Sequence, residues 1–372
     1  MTVEMKKYKL GDVGEFLNGK IRPTERGVFP VYGGNGILDY CNQYNYENVI
    51  IIGRVGAYCG CVSACFGKCW VSDNAIAFRP NDANDIHYLK YLLTSLNLNK
   101  KHVGAAQPLM TQGILKSLDI LLPDFKVQQK IASALSTLDQ RIENLRAQNR
   151  VLEQTAKTIY DYTFLQCAGH QTTYNKTLNR NIPVGWETDN LYRIADFTNG
   201  LACQKYRPTT EKDKLPVIKI REMHEGITAD TEFVRSDIPE KVIVNPGDLL
   251  FSWSASLEVM MWNGVKGGLN QHIFKVTPKE YFSLYYVYFQ LKDYIGNFKR
   301  MAEARKTTMG HITTDHLNQS RIAIPDEETM KRFSSQVTPL FKKQLVNSQQ
   351  IETLTTQRNT LLPLLMTGQI EV

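Results

Sequence analysis

The sequence feature that most constrains the fold is a narrow apolar stripe that occurs twice in the chain. After Asp124, largely apolar residues recur at alternating spacings of four and three through residues 131–163, and after Asp326 the same pattern runs through residues 333–365. This heptad spacing, held over about five heptads, predicts two helices of roughly 40 residues, each about 60 Å long. Because the stripe is narrower than the apolar face of a helix on a globular core, we expect the two helices to pair; packing of each helix on its own domain is the alternative.

The predicted seam between the helices contains two irregular positions. Asn149 interrupts the first stripe, where a single buried amide can fix the register of paired helices at some cost in stability, although solvent exposure would explain it equally well. Pro339 lies inside the second stripe and is expected to kink that helix. The seam residues are, in the first helix, Ile131, Leu135, Leu138, Ile142, Leu145, Asn149 and Leu152, and in the second, Phe333, Val337, Leu340, Ile351, Leu354 and Leu361.

The rest of the chain also repeats. The segment 10–19 (LGDVGEFLNG) is matched in the second half by 191–200 (LYRIADFTNG), and 120–124 (ILLPD) is matched by 322–326 (IAIPD). We expect segments 10–19 and 191–200 to be short helical openings that end in a glycine turn. The β-rich runs broken by glycine that lie between these landmarks predict a small mixed domain of helices and strands in each half, with variable loops in the longer second copy.

The order domain, helix, domain, helix predicts the architecture. If each helix returns past the other, the pair is antiparallel, carries one domain at each end and relates the domains by a pseudo-two-fold axis. The predicted fold class is therefore α+β, with two small mixed α/β domains separated by two long antiparallel helices in a coiled-coil-like pair. The expected boundaries are 1–124 and 169–326 for the domains, and 125–168 and 327–372 for the helices.

Charge and composition restrict the partners only weakly. The formal net charge of +7 suits a polyanion, because lysines and arginines that neutralise phosphates release counterions, but many proteins without such a partner are as basic. Two similar modules would read two half-sites of a duplex; since these modules differ in sequence, the halves should differ and be separated by an unread spacer. No apolar run reaches the roughly 18 residues of a membrane helix and the first ten residues lack an apolar signal region, which predicts a cytoplasmic protein without a membrane partner.

The cysteines predict neither disulfides nor a metal site. Their number, seven, is odd and shows no disulfide framework, which suggests reduced thiols. Four of them, in residues 59–69, lack both a Cys-x2-Cys pair and a nearby histidine pair, so we expect strand thiols around a turn at residues 66–68.

The sequence lacks the motifs of the enzymes that act on nucleic acids. We find neither a methyltransferase cofactor loop nor the Asn or Asp-Pro-Pro-aromatic motif that holds a flipped adenine. No phosphate-binding loop is present, because Gly60 and Gly67-Lys68 have the wrong spacing and are followed by Cys69. A nuclease acting alone is harder to exclude, because scattered carboxylates make a loose pattern. Asp124 and Asp326, however, directly precede helices, where a carboxylate is stabilised by the positive end of the helix, and this position explains them better. We therefore predict no catalytic centre.

Several runs resemble the specificity subunits of type I restriction-modification systems over essentially the whole length. The first domain departs from the family pattern, because Tyr8-Lys9-Leu10 lacks the usual Pro-x-Gly-Trp opening. The runs similar to the family's central region are 122–131 (LPDFKVQQKI), 138–142 (LDQRI) and 149–154 (NRVLEQ); those similar to its domain opening and to one class of target domain are 181–186 (NIPVGW), 253–256 (WSAS) and 269–274 (LNQHIF).

The resemblance implies a non-catalytic subunit that binds double-stranded DNA and assembles with other proteins. It implies two methyltransferase subunits bound along the helices, and endonuclease and translocase subunits in the complete complex. Those partners are expected to use S-adenosylmethionine, ATP and Mg²⁺, whereas this chain is expected to bind no cofactor. Methylation would fall on adenine N6, once in each half of a split target.

The candidate DNA contacts of the first domain are drawn from glycine-rich turns such as 32–36 and 53–56. Arginine suits the guanine edge and asparagine or glutamine the adenine edge, although each turn residue could instead serve only to shape its loop. His272, in an expected strand, could be structural, and Trp253 is expected in the core. The candidates are Arg22, Tyr32, Asn35, Arg54, Tyr58, Asn74 and Gln107 in the first domain, and Lys205, Arg207, Arg221, Ser254, Asn270, Gln271, His272, Arg305 and Lys306 in the second. A coiled-coil adaptor that binds only proteins is the competing hypothesis, because it would share the helices without needing basic, amide-rich loops.

Overall fold

The computed structural model describes residues 3–103, 108–210, 213–254, 256–304 and 314–372. The chain forms two compact units, the first made of residues 1–143 with 352–372 and the second of residues 144–351. Each unit therefore contains part of both long helices. The division of the chain into two domains and two separate helices remains a prediction.

The first unit is built on a six-stranded sheet with the order β2-β7-β5-β6-β3-β4. Its neighbours are antiparallel except for β3 and β6, which run parallel. The central strand β5 is buried from Val49 to Ile52, as expected for a run of β-branched residues covered on both faces. The strands are β1 (Lys6–Lys9), β2 (Gly14–Asn18), β3 (Arg26–Gly33), β4 (Gly36–Cys41), β5 (Tyr46–Gly53), β6 (Val62–Val71), β7 (Ala75–Pro80) and β8 (Asp119–Leu122).

Helix α1 (Ile86–Ser95) connects this sheet to the first long helix. The Asp85 side chain caps it by accepting a hydrogen bond from Tyr88 N over 2.8 Å. The buried face of α1, including Leu89, shares one apolar cluster with Ile131 of α3 (Phe125–Tyr160). A short helix α2 (Gln112–Ser117) precedes β8, and β8 pairs antiparallel with β1, so the start and end of the domain meet beside the long helix.

The second unit has two four-stranded sheets, with the orders β12-β19-β16-β17 and β14-β13-β18-β15. Its largest core is aromatic: Tyr160 and Phe164 pack with Phe333, whose ring lies 4.9 Å from that of Phe164. The strands are β9 (Thr172–Asn175), β10 (Arg180–Pro183), β11 (Glu187–Asp189), β12 (Ala195–Asn199), β13 (Lys214–Ile218), β14 (Phe233–Arg235), β15 (Ile243–Val244), β16 (Leu249–Ser252), β17 (Glu258–Met261), β18 (Gly267–Leu269), β19 (Ile273–Pro278) and β20 (Ile322–Ile324); the helices are α4 (Ile220–Glu225), α5 (Leu284–Ala304), α6 (Thr314–Gln319) and α7 (Glu327–Met366).

The two units share a repeated framework of strand pairs and long helices, which confirms the predicted fold class. The antiparallel pairs β2–β7 and β1–β8 of the first unit correspond to β12–β19 and β11–β20 of the second. The long helices begin at equivalent places in the repeat, Phe125 and Glu327, each directly after a Pro-Asp pair. The predicted helical openings are only partly correct, because each is a single 3₁₀ turn, Leu10–Asp12 and Leu191–Arg193, followed by a strand rather than by more helix.

The long helices α3 and α7 pair antiparallel. In the first unit Arg358 Nη1 of α7 lies 2.8 Å from Asp139 Oδ1 of α3, and in the second unit Asn347 Nδ2 lies 2.9 Å from Asn149 Oδ1. All the seam residues named above are buried or half-buried. Helix α7 continues through Pro339 without interruption, because this residue is exposed and water can reach the carbonyl that lacks a donor.

The seam amide Asn149 is half-buried and bonded across the helix pair. Besides accepting from Asn347, it donates through Nδ2 to Ser348 Oγ over 3.2 Å. These bonds favour a role in register over simple solvent exposure.

All seven cysteines are free thiols. Residues 66–68, expected in a turn, lie inside β6, where the pairing with β5 shifts at a bulge and so lets the strand continue. Among the residues that the structure describes, no group of three or more histidine, cysteine or acidic side chains could hold a metal ion. The described helices include none long and apolar enough to cross a membrane.

Replacing Asp139 by asparagine should lower the free energy of unfolding by about 1–3 kcal/mol at pH 7. Burial opposes ionisation of this carboxyl, but hydrogen bonds from Tyr91 and Arg358 and the charge of Lys90 outweigh it and lower the pKa of Asp139. The stabilisation is therefore present above the unfolded carboxyl pKa of about 3.9 and is lost as the pH falls through the lower folded-state pKa. Urea unfolding of the wild type and the variant at pH 7 and at about pH 2 measures the effect of the substitution with the Asp139 carboxyl ionised and protonated.

The matched control is Asp82→Asn, which removes an exposed carboxylate of the same unit and should change stability little at either pH. An Asp139→Asn effect of equal size at both pH values would contradict an ionic origin.

Candidate nucleic-acid interface

Three turns of the first unit meet and form what we call the first loop cluster: residues 34–35, 54–58 and 73–74. Arg54 N donates to Asn74 O over 2.9 Å. A Cβ placed on Gly34 would lie 3.5 Å from Tyr58 Cβ and 3.7 Å from Asn74 O. The tight packing of these backbones brings the predicted residues Asn35, Arg54, Tyr58 and Asn74 together.

Glycine makes this packing possible. A Cβ on Gly53 would overlap the carbonyl oxygen of Tyr58, and one on Gly19 would overlap that of Ser72. These glycines let the turns pack on one another, which is the loop-shaping alternative of the sequence analysis.

The side chains of the first loop cluster suit a polar, anionic surface. Asn35, Arg54 and Asn74 are exposed, and the Tyr58 side chain keeps 50% of its surface accessible. Together they offer one fixed charge, two amides that can donate and accept, and an aromatic ring with a hydroxyl. This set can contact both phosphates and base edges.

Arg22 and Lys20 lie on the segment that follows β2. Arg22 is exposed and makes only a loose ion pair with Asp39, at 3.7 Å. Lys20 N donates to Val71 O over 3.0 Å, and Lys20 forms a parallel bridge with Ser72, which directly precedes the 73–74 turn. Lys20 is exposed beside the first loop cluster and was not among the sequence-predicted candidates, although it directly follows the repeated glycine at residue 19.

Two further candidates of the first domain do not add to the described cluster. Tyr32 is only 9% exposed, its hydroxyl donates to Ala64 O over 3.3 Å, and burial raises the pKa of Tyr32 to about 12. Its side chain is thus held within the fold, and its contact with DNA stays a prediction. Gln107 lies outside the described residues. The chain that follows it joins the cluster, because Gly56 N donates to Pro108 O over 3.1 Å.

The second unit has a corresponding second loop cluster made of residues 199–207, 253–254 and 270–272. Gln271 N donates to Leu201 O over 2.8 Å, and Trp253 N donates to His272 O over 3.2 Å. A Cβ on Gly200 would overlap the carbonyl of Asn270, so glycine is again required by the close approach of two turns. The predicted residues Lys205, Arg207, Gln271 and His272 lie in this cluster, the first two exposed and the last two half-buried.

Two aromatic residues of this cluster had an expected local setting. His272 lies in the turn between β18 and β19 rather than in a strand, with Nε2 3.3 Å from Gln271 Nε2. Trp253, expected in the core, packs against the aromatic core but stays half-buried, and its indole nitrogen donates to Asn199 Oδ1 over 3.1 Å.

Three other predicted contacts of the second domain have partners within the protein. Ser254 is only 8% exposed, and Asn270 is half-buried with its Oδ1 accepting from His272 N over 3.2 Å. Arg221 is exposed, and its Nη2 lies 2.8 Å from the carboxylate of Glu222, itself 1% exposed; this hydrogen bond and charge raise the pKa of Arg221. Contact of these three side chains with DNA stays a prediction. Arg305 and Lys306 lie outside the described residues.

The two loop clusters occupy equivalent places in the repeated fold. Each is fixed by a parallel bridge, Lys20 with Ser72 in the first unit and Leu201 with Asn270 in the second, next to the glycine that ends the repeated segment of each half. The frame is thus shared while the exposed side chains differ. Such an arrangement defines a protein with two structurally equivalent loop clusters of unlike side-chain chemistry.

Comparison with known proteins gives the family. The family model described as the type I restriction modification DNA specificity domain matches residues 2–154 and 183–356, and the chain belongs to this family. It is 28% identical over 313 residues to the type I restriction enzyme MjaIX specificity subunit of Methanocaldococcus jannaschii, covering 79% of this chain and 71% of the relative. It is 23% identical over 328 residues to the HindI specificity subunit of Haemophilus influenzae, covering 71% of each chain.

The fold is also that of a solved specificity subunit. The crystal structure of the type I restriction-modification S subunit from M. genitalium matches with a TM-score of 0.65 at 15% identity, over 98% of this chain and 96% of the other. Family membership makes the chain a specificity component rather than an enzyme, as the absence of catalytic motifs predicted.

Replacing Gly53 by alanine should force the turns of the first loop cluster apart and lower the free energy of unfolding by about 1–3 kcal/mol, since overpacking of a tight site costs this much. Urea unfolding measures the change.

Gly67→Ala is the control in the same unit, because a Cβ there meets no atom within 4 Å and its backbone is not left-handed. If the two variants were equally stable, the packing role assigned to Gly53 would be wrong.

Proposed function

We propose that the chain is the DNA specificity subunit of a type I restriction-modification complex and binds a bipartite, asymmetric duplex target, one half per domain. The observation that carries the proposal is the pair of equivalent loop clusters, which share a backbone frame but differ in exposed side chains. A shared frame suits two modules that approach DNA in the same way, and unlike side chains suit two different half-sites.

The chemistry of the clusters supports direct readout. Arg54 can bond to a guanine edge, and Asn74 to an adenine edge, by two parallel hydrogen bonds each. In the second cluster Gln271 has the amide that suits adenine, while Lys205 and Arg207 have exposed charges that suit phosphates. The net charge of +7 supports attraction to the duplex as a whole.

The proposed partners extend the function to an assembly. We expect two adenine-N6 methyltransferase subunits and, in the restriction form, endonuclease and translocase subunits, with S-adenosylmethionine, ATP and Mg²⁺ bound by those subunits rather than by this chain. The exposed flanks of α3 and α7 offer long surfaces for such subunits, since only the seam side of each helix is used in their pairing. The assembly would act on cytoplasmic DNA.

The competing hypothesis is an adaptor that binds only proteins. It accounts for the paired helices but gives no reason for exposed arginine, lysine and amide side chains in both loop clusters. Binding to duplex DNA that weakens steeply as salt rises favours the specificity subunit, because each neutralised phosphate adds about one to the salt slope. Binding that is absent at low salt would favour the adaptor.

Replacing Arg54 by alanine should cost about 1–3 kcal/mol of discrimination at one base pair of the target, because a lost bidentate contact removes the preference for that base. Titration of the methyltransferase complex with single-base variants of the target measures the loss position by position.

Arg79→Ala is the matched control, because it removes the same charge from an exposed residue of the same sheet that faces Glu15. An Arg54→Ala variant that weakened binding to all sequences equally, as a phosphate contact does, would refute base readout by this residue.

The division of labour between the domains can be tested in the genome. Mapping N6-methyladenine with and without the gene should reveal a split motif that disappears on deletion. Complementation with Arg54→Ala should relax only one half of the motif, and Gln271→Ala only the other. Unchanged methylation on deletion, or relaxation of the same half by both variants, would contradict the proposal.

A further inference from the structure

The pair of long helices contains polar contacts that join α3 to α7. In the second unit Asn347 Nδ2 donates to Asn149 Oδ1 over 2.9 Å, and in the first unit Arg358 Nη1 donates to Asp139 Oδ1 over 2.8 Å. Each contact takes one residue from α3 and one from α7. Polar side chains of the seam therefore face polar side chains.

The same register makes apolar residues face apolar residues. Four residues back along α3 from Asn149 and four forward along α7 from Asn347, the antiparallel register places Leu145 opposite Ile351. Ala156 of α3 and Phe341 of α7 are likewise both buried in one apolar cluster of the second unit.

Because α3 and α7 are repeats, every seam position has a counterpart in the other helix, at the same distance from the start of that helix. At the polar positions the counterparts are all apolar. They are Phe341 for Asp139, Ile351 for Asn149, Leu145 for Asn347 and Ala156 for Arg358. The two helices are thus alike in their apolar stripe but complementary where they are polar.

Pairing of like helices from two copies of the chain would destroy this complementarity. In the equivalent register, α3 against a second α3 would place Asn149 against Leu145 and Asp139 against Ala156. Two α7 helices would likewise place Asn347 and Arg358 against apolar residues. The amides of Asn149 and Asn347 would lose each other, and Asp139 and Arg358 would lose their ion pair, at positions that are buried or half-buried. Two-fold symmetry would make every such mismatch occur twice.

The amide pair is also a poor choice for stability alone. Asn347 is fully buried, and its Oδ1 finds no hydrogen-bond partner among the residues that the structure describes. An apolar pair of similar size would leave no such atom unsatisfied. This arrangement is the signature of specificity gained at the expense of stability.

We propose that Asp139, Asn149, Asn347 and Arg358 direct α3 to pair with α7 and exclude pairing of like helices from a second copy of the chain. Without them, the shared apolar stripe would allow α3 to accept another α3, and α7 another α7. The surface involved is the seam itself, and the partner it rejects is a second copy of this chain. The inference is independent of DNA recognition.

The test replaces each polar residue by its counterpart in the other helix: Asp139→Phe, Asn149→Ile, Asn347→Leu and Arg358→Ala. Two copies of the full chain with different affinity tags are unfolded, mixed and refolded together, and the mixed dimers are captured through both tags and quantified. The wild-type chain should give mostly monomer, and the four-residue variant at least ten-fold more mixed dimer. Any wild-type dimer would arise from α3 of one copy pairing with α7 of the other, and its amount gives the background for the variant.

A control variant makes similar chemical changes on exposed positions of the same helices: Arg150→Ala, Gln154→Leu, Lys343→Ala and Gln357→Leu. It should exchange like the wild type. If the four-residue variant fails to fold, Asn149→Ile with Asn347→Leu removes only the amides, and it should keep the wild-type melting temperature or exceed it while exchanging several-fold more. Exchange at the wild-type level in a folded variant would overturn the inference.

Discussion

The antiparallel contact of α3 with α7 is the constraint on which the rest of the structure depends. Neither unit closes its core with one helix alone: Leu365 of α7 packs in the same cluster as Ile131 of α3, and Tyr160 of α3 packs in the same cluster as Phe333 of α7. Folding of each recognition domain is therefore coupled to pairing of the helices. Since the free energy of each core includes that coupling, damage to the helix contact should spread to both domains.

On this frame the recognition chemistry can vary at little cost. The strands and the turn glycines at residues 19 and 200 fix where the loop clusters lie, while the exposed side chains of these clusters do not pack in the core. A change from asparagine to arginine in such a turn alters hydrogen bonding to a partner without disturbing the core. This separation lets one fold present two loop clusters of unlike chemistry in a single chain.

The candidate site was predictable only in outline. Glycine-rich turns located the first loop cluster, because close backbone approach leaves a compositional trace. The surroundings of the individual side chains were not predictable in the same way: Tyr32 and Ser254 are buried, and Arg221 is paired with Glu222. Burial and ion pairing depend on residues distant in sequence, so local patterns could not decide them.

By itself, the sequence determined the repeat, the length and start of the long helices and the identity of their seam, since heptad spacing and internal similarity are local or periodic properties. Only the tertiary structure decided which polar residues of the seam meet, that α7 continues through Pro339, and which turns pack together into each loop cluster. The physical reason is that the spacing of apolar residues specifies which face of a helix or strand is buried. Which other element packs against that face is set by the packing of the whole chain.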